Sequence, residues 1–203
     1  MKGVVPLSYW EGARAPERAR QLLGRYLVRR REDGAEEARL ITEVEAYDGE
    51  RDLACHAARG RTRRTETLYA AGGCWYVYLC YGIHEMLNLV VGPAGWPSAV
   101  LIRGLEGISG PGRVTRSLRI DRRWNGLPAS PESGLWIEDR GVRVPARLVC
   151  ATPRIGVDYA GPVWAAKRWR FLIDPQEAAR AADRRPLPPP GDTRSASRGR
   201  SRT

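Results

Sequence analysis

The densest chemistry in this chain lies in I-T-E-V-E-A-Y, residues 41–47. Successive side chains of a β-strand point to opposite faces, so Glu43, Glu45 and Tyr47 share one side while Thr42, Val44 and Ala46 share the other. Carboxylates two residues apart on a strand sit roughly 7 Å from one another, near enough for each to hinder ionisation of its neighbour. One of them could therefore be held as a general base. The same pattern fits an edge strand with a solvated acidic face, and these seven residues do not choose between the two. Further groups of interest are His56 in a polar loop, Tyr76 and Tyr78 in C-W-Y-V-Y-L-C, and Y-G-I-H at 81–84. Hairpin tips favour Asn, Asp and Gly, and an aromatic there is costly to expose unless it inserts into something.

Several elements must position these groups. A short helix is expected over 16–23, with Pro16 in its first turn, Ala19, Leu22 and Leu23 on one side, and Gly24 ending it. Strands at 26–30 and 40–47 flank a turn at Glu32-Asp33-Gly34. Residues 48–71 read as a loop with at most a short helix, carrying Arg59, Arg61, Arg63 and Arg64. That cluster suits phosphate contacts or, equally, a solvated basic loop. Gly72-Gly73 announces a strand over 74–80, with Tyr76 and Tyr78 on one face and Trp75, Val77 and Leu79 on the other. The chain returns over 86–91, and a further apolar strand spans 98–103. Gly110-Pro111-Gly112 opens a basic helix beginning with Arg113, whose free N–H groups could take a phosphate, although the lysine and spacing of a nucleotide P-loop are missing. Strands are expected at 135–138 and 143–150, a loop at 154–157, and aromatics over 164–173 that pack back onto the body. From 178 to 203 the composition cannot bury a core and reads as a basic disordered tail, leaving 1–177 as one domain.

The chain has 203 residues, 42% of them hydrophobic, enough for one domain with a core. Thirty-four basic against twenty-three acidic residues give a net charge of +11. A surplus of that size points to a polyanion, with nucleic acid the first choice, although an Arg-rich codon usage would produce much of it. Cys55, Cys74, Cys80 and Cys150 form no C-x-x-C pair, and neither His56 nor His84 stands at zinc-ligand spacing from them. Free thiols in a reducing cytoplasm and no metal are expected. The opening M-K-G-V-V-P-L has no long apolar run and no stretch reaches eighteen apolar residues, so neither secretion nor membrane insertion is expected.

A pocket walled by Tyr47, His56 and Tyr78 would suit a flat ring, above all a cationic one. A carboxylate at its floor suits water activation or stabilisation of a sugar cation, and Tyr81 at the tip suits wedging into a base stack. These are the parts needed to extrude a nucleotide and cut its glycosidic bond. With these residues in view, the chain resembles the alkyladenine (3-methyladenine) DNA glycosylase family. The E-x-E-A-Y-x-G stretch is residues 43–49, the pocket histidine His56, the Y-V-Y-x-x-Y-G hairpin residues 76–82, and the downstream asparagine Asn88. L-x-R-x-L-E follows at 101–106, G-P-x-x-[LV] from Gly110, and R-[IV]-G-[IV] from Arg154. Any one of these is common; the ordered set, covering about residues 16–173, is specific.

The resemblance implies a mixed α/β (α+β) fold: a curved, mainly antiparallel sheet, short flanking helices and a protruding hairpin that inserts into DNA. It implies that Glu45 is the base for the attacking water, with Arg103 and the main-chain carbonyl of Ile155 helping to hold that water. Tyr47, His56 and Tyr78 would stack on or hydrogen-bond the extruded base, and Asn88 would crowd the 2-amino group of guanine. Tyr81, flanked by His84, would fill the gap in the duplex, while Arg59, Arg61, Arg63, Arg64 and Arg113 would meet phosphates. The implied enzyme is a cofactor-free monomer acting on double-stranded DNA that holds damaged purines. The sequence departs from the family at His84 and Glu85, where many members carry aromatics, and Glu85 brings a negative charge towards phosphates. Glu43 is expected to support the site, Tyr76 and the tryptophans to pack. Two other readings stay open: a non-catalytic DNA-binding protein that keeps the basic face and wedge, and an enzyme acting on RNA or nucleosides.

Overall fold

Residues 3–177 are described in a computed structural model of the chain; the basic tail expected from 178 lies outside the described residues. In chain order the strands are Gly3–Val4 (β1), Tyr26–Arg30 (β2), Glu36–Asp48 (β3), Trp75–Cys80 (β4), His84–Val90 (β5), Ser98–Leu105 (β6), Ile108–Ser109 (β7), Leu135–Asp139 (β8), Cys150–Thr152 (β9) and Arg170–Leu172 (β10). Ala15–Leu22 (α1), Pro111–Ser117 (α2) and Gly161–Ala165 (α3) are α-helices. Every strand pair is antiparallel, in the order β1-β8-β2-β3-β6-β5-β4, with β10 against β3 and β9, and β7 against β6. The expected mixed fold, with a mainly antiparallel sheet and short helices, is what forms.

The long strand β3 joins two regions of this sheet. Its first residues, 36–40, pair with β2, and its remainder, 41–48, pairs with β6 and, over 43–45, with β10. Alternation then divides its side chains. Val44 and Ala46 are fully buried in the main core with Trp10, Ala15, Ala19, Leu22, Leu89, Val100 and Ile102. The spacing of Ala15, Ala19 and Leu22 places them on one stripe of α1, and each buried Leu of such a core contributes about 1.5–3 kcal/mol. Tyr47 lies on the other face, over a smaller cluster of Cys55, Ala57, Leu68, Tyr69, Tyr76 and Val90. Residues of the 49–71 segment therefore cover the Tyr47 end of this face, and with Glu45 also buried it is not a solvated edge.

The β3–β6 ladder is irregular where it matters. Its register slips between Ile41 and Val44, so that Glu43 faces Gly104 and Val44 faces Ile102, leaving Arg103 without an opposite partner. A bulge of this kind re-aims the extra side chain. It needs the close approach that Gly104 permits, since a Cβ there would lie 2.9 Å from the Cβ of Glu43. Gly104→Ala is expected to lower stability by about 1–3 kcal/mol, measured by denaturant unfolding; an unchanged midpoint would show that the bulge yields freely.

Element boundaries shift where tertiary pairing extends or cuts a local pattern. β3 begins earlier than 40 because β2 pairs with residues 36–40, and residues 48–71 contain two single-turn 3-10 helices, His56–Arg59 and Glu66–Tyr69. The strand expected at 143–150 does not form. Pro145, which has no N–H to give a ladder, caps a 3-10 turn at Ala146–Leu148, and only Cys150–Thr152 pairs, with β10. The free edge of β4 is covered by the loop that follows α2: Trp75 N–H donates to Leu127 O (2.9 Å) and Val77 N–H to Asn125 Oδ1 (3.1 Å).

Candidate active site

Glu45 is fully buried. Buried carboxylates need donors on their oxygens, and three are present. The Ile155 amide donates to Oε1 (2.8 Å), and the Tyr47 hydroxyl (2.8 Å) and Arg103 Nη1 (3.4 Å) reach Oε2. A carboxylate offers about four lone-pair positions, so one acceptor position is left for a further donor. Arg103 also donates through Nε to Glu43 Oε1 (3.0 Å), and Arg170 Nε reaches that same oxygen (2.6 Å). Glu43 thus anchors two guanidiniums, and Arg103, freed by the bulge, spans both carboxylates. Alternation supplies the shared face, and the bulge supplies the cation between them.

The aromatic residues expected to hold a base gather near Glu45, with Tyr47 bonded to it and Tyr47 and Tyr78 packed on one cluster. The hydroxyl of Tyr47 is pinned to Glu45; burial first and the charge of Glu45 second hold its ionisation well above the usual phenol range. Arg154 lies against its ring, 4.8 Å from the centroid. His56 meets Tyr78 edge-on with ring centroids 4.5 Å apart, and its Nδ1 is 3.0 Å from the Tyr76 hydroxyl. Tyr76 therefore does more than pack: its hydroxyl orients the imidazole. Burial, then the positive charges of Arg64 and Arg59, bring the His56 pKa down from 6.5 to about 4, so this ring is neutral at physiological pH. Burial likewise raises the Tyr78 phenol. Asn88 is buried, its side-chain N–H groups donating to the carbonyls of Tyr76 (3.1 Å) and Met86 (3.2 Å).

The depressed His56 value sets a stability window. The unfolded chain binds this proton more readily than the folded one, so the contribution is complete above about pH 6.5 and is lost as pH falls from 6.5 towards about 4. Over that interval the wild-type melting temperature is expected to fall more steeply than that of His56→Gln. Parallel curves would mean that His56 protonates without resistance.

The hairpin joining β4 and β5 turns on Tyr81 and Gly82, with φ of 51° and 70°, and the Ile83 amide donates to Cys80 O (3.1 Å). Left-handed backbone is strained for tyrosine, yet Tyr81 is 90% exposed and Ile83 beside it 69%. His84 is half-buried and lies over Gly112 at the start of α2, where an added Cβ would come within 3.0 Å of its ring. The second exposed tip side chain is thus Ile83, which its apolar character in a turn could have signalled. Glu85 does not stand as an open charge, because Arg122 Nε donates to it (3.1 Å). Arg59, Arg61, Arg63, Arg64 and Arg113 are all exposed, Arg61 being paired with Glu66. Arg64 also approaches the Tyr78 ring, at 5.7 Å.

Two buried residues had no role assigned from the sequence. Arg154 and Asp52 form a bidentate pair (2.6 and 2.8 Å) with no side-chain exposure on either partner. Nothing local marks Asp52, one acidic residue in a loop; Arg154 is marked only through its place in R-I-G-V. Among the described residues no group of His, Cys, Asp and Glu could hold a metal ion, and no helix is long and apolar enough to cross a membrane.

The methylpurine-DNA glycosylase family matches residues 10–109 and 106–177. A Psychrobacter cryohalolentis protein is 44% identical over 180 residues, covering 74% of this chain and 82% of its own. A Myxococcus xanthus protein is 42% identical over 185 residues, 85% of this chain and 89% of its own. A Borreliella afzelii protein is 39% identical over 168 residues, 77% and 89% respectively. All three bear the provisional name 3-methyladenine DNA glycosylase. With the family match across nearly all the described residues and relatives at 44% and 42% identity, this chain belongs to the methylpurine-DNA glycosylase family, hydrolases of N-glycosyl bonds in damaged DNA.

Proposed function

We propose that this protein is a monofunctional DNA glycosylase of base excision repair that acts as a monomer on double-stranded DNA. It flips alkylated or deaminated purines, among them 3-methyladenine, 7-methylguanine, hypoxanthine and ethenoadenine, and hydrolyses their glycosidic bond with water activated by Glu45. The observation that carries this reading is the buried Glu45 carboxylate, which accepts from three donors and keeps one position for a fourth. Water in that position is aligned by Glu45 with help from Arg103 and the main-chain carbonyl of Ile155, and attacks C1′ of the extruded nucleotide. The base leaves with the bonding electrons, and the water proton passes to Glu45 as the new C1′–O bond forms. Carboxylate charge balances the oxocarbenium-like sugar along the way.

Tyr47, His56 and Tyr78 hold the base, and a cationic alkylpurine gains from rings on its faces. Asn88, with its amide fixed by two carbonyls, crowds the 2-amino group of guanine. Tyr81 and Ile83 fill the space left in the duplex. His84, from the flank of the hairpin, supports the tip. Arg59, Arg61, Arg63, Arg64 and Arg113 contact phosphates, so affinity falls steeply with salt. Flipping costs a few kcal/mol and least for damaged or mispaired bases, which gives the duplex a share in selectivity. Among the described residues the one lysine, Lys167, lies over Trp164 and Trp169, and the proposed mechanism uses no Schiff base.

The test is a labelled duplex with one hypoxanthine or ethenoadenine opposite thymine, and another with 3-methyladenine. Abasic sites cut only after alkali are the expected product. Tight binding to all these duplexes without release of any base would replace the enzyme with a DNA-binding protein on the same scaffold.

A further inference from the structure

The Asp52–Arg154 pair lies between the two halves of the site and touches both. Arg154 donates from Nη1 to Ala46 O (2.9 Å) and from Nη2 to Trp164 O (3.3 Å), besides its two bonds to Asp52. Its guanidinium is stacked between Tyr47 (4.8 Å) and Trp169 (5.2 Å). The residue after it, Ile155, gives its amide to Glu45. On the other side, Asp52 accepts from the amides of Asp48 (3.2 Å) and Ala54 (3.1 Å), which ties the end of β3 to the start of the segment carrying His56. One buried ion pair thus fixes the Tyr47 ring, the approach of the His56 segment and the Ile155 amide on Glu45.

Stability is a poor reason for such a pair. Two charges lose hydration on burial, and apolar residues of similar volume often serve a fold as well or better. Moreover, Arg154 Nε is buried without a hydrogen-bond partner among the described residues, a cost that stability alone would not retain. The planar fork of arginine can meet Asp52, two carbonyls and two rings at once, whereas a lysine ammonium cannot.

Building on the glycosylase reading, we propose that Asp52 and Arg154 are positioning residues that lock the water site to the base pocket. They touch neither base nor sugar. Their action passes through the Ile155 amide and the Tyr47 ring, so that the base is seated only where the water at Glu45 is aligned with C1′. A misplacement of 1 Å can cost about 100-fold in rate. The cost should depend on the leaving group. A cationic 7-methylguanine departs readily and leans little on an aligned nucleophile, while neutral hypoxanthine departs poorly and leans on it heavily.

The experiment compares wild type with Arg154→Lys and Asp52→Asn in single-turnover release of hypoxanthine and of 7-methylguanine. Binding to a duplex with a tetrahydrofuran abasic analogue and thermal melting are measured alongside. Arg154→Lys is expected to lose about 100-fold on hypoxanthine and several-fold at most on 7-methylguanine, with analogue binding nearly unchanged. Asp52→Asn should repeat that split. Equal losses on the two bases, losses in binding alone, or unfolding of both variants would assign the pair to stability and overturn the proposal. A wild type that releases neither base would instead remove the glycosylase reading itself.

Discussion

Glu45→Gln is expected to bind lesion duplexes as wild type does and to release their bases about 10² to 10⁴ times more slowly. The amide matches the carboxylate in shape, so the pocket keeps its form. It has neither the charge to balance a sugar cation nor the basicity to take a proton from water. It also turns a donor towards groups that are themselves donors, the Tyr47 hydroxyl, the Ile155 amide and Arg103. Arg103 retains Glu43 at 3.0 Å, so its charge is not stranded and the protein should remain folded. Single-turnover release from a hypoxanthine duplex, with binding measured on the same molecule, decides the matter. Wild-type rates in the variant would take the role of general base away from Glu45.

At the hairpin tip, Tyr81→Gly is expected to move stability and function in opposite directions. Tyr81 has φ of 51° and is 90% exposed, so its ring contributes little packing while its backbone is strained. Glycine accepts that conformation freely. Relief of about 1 kcal/mol should raise the melting temperature by about 2–4 °C in a domain of this size. Loss of the ring should weaken binding to a lesion or abasic duplex by about 10- to 100-fold, the worth of one stacked aromatic at about 1–3 kcal/mol. Backbone strain kept at an exposed aromatic points to a function at that residue. A variant that is stabilised and still binds the lesion duplex normally would reduce Tyr81 to a surface residue.

Much of this site was legible from residue order. Period-two alternation is local, and it put Glu43, Glu45 and Tyr47 on one face before any partner strand was known; the folded strand keeps that division, with Val44 and Ala46 in the core. Tyr76 and Tyr78 were placed together for the same reason. Where the pattern fails, a local breaker and a distant edge decide together. The expected strand at 143–150 gave way to a turn because Pro145 cannot supply a ladder N–H, and only Cys150–Thr152 found an edge, on β10.

What the sequence determined by itself is the set of groups with alternating or contiguous spacing: the acidic row, the aromatic strand, the exposed tip and the basic surface. Short-range geometry of the backbone fixes such patterns, whatever the rest of the chain does. Tertiary structure alone decided which groups touch. The bulge that places Arg103 between two carboxylates depends on Gly104 meeting Glu43, sixty-one positions earlier. The Ile155 amide reaches Glu45 across 110 residues, and Arg154 reaches Asp52 across 102. Burial also made His56 neutral and turned a lone acidic loop residue into half of a buried ion pair. Desolvation and charge pairing belong to the assembled fold, because they depend on what surrounds a group in space and not on its neighbours along the chain.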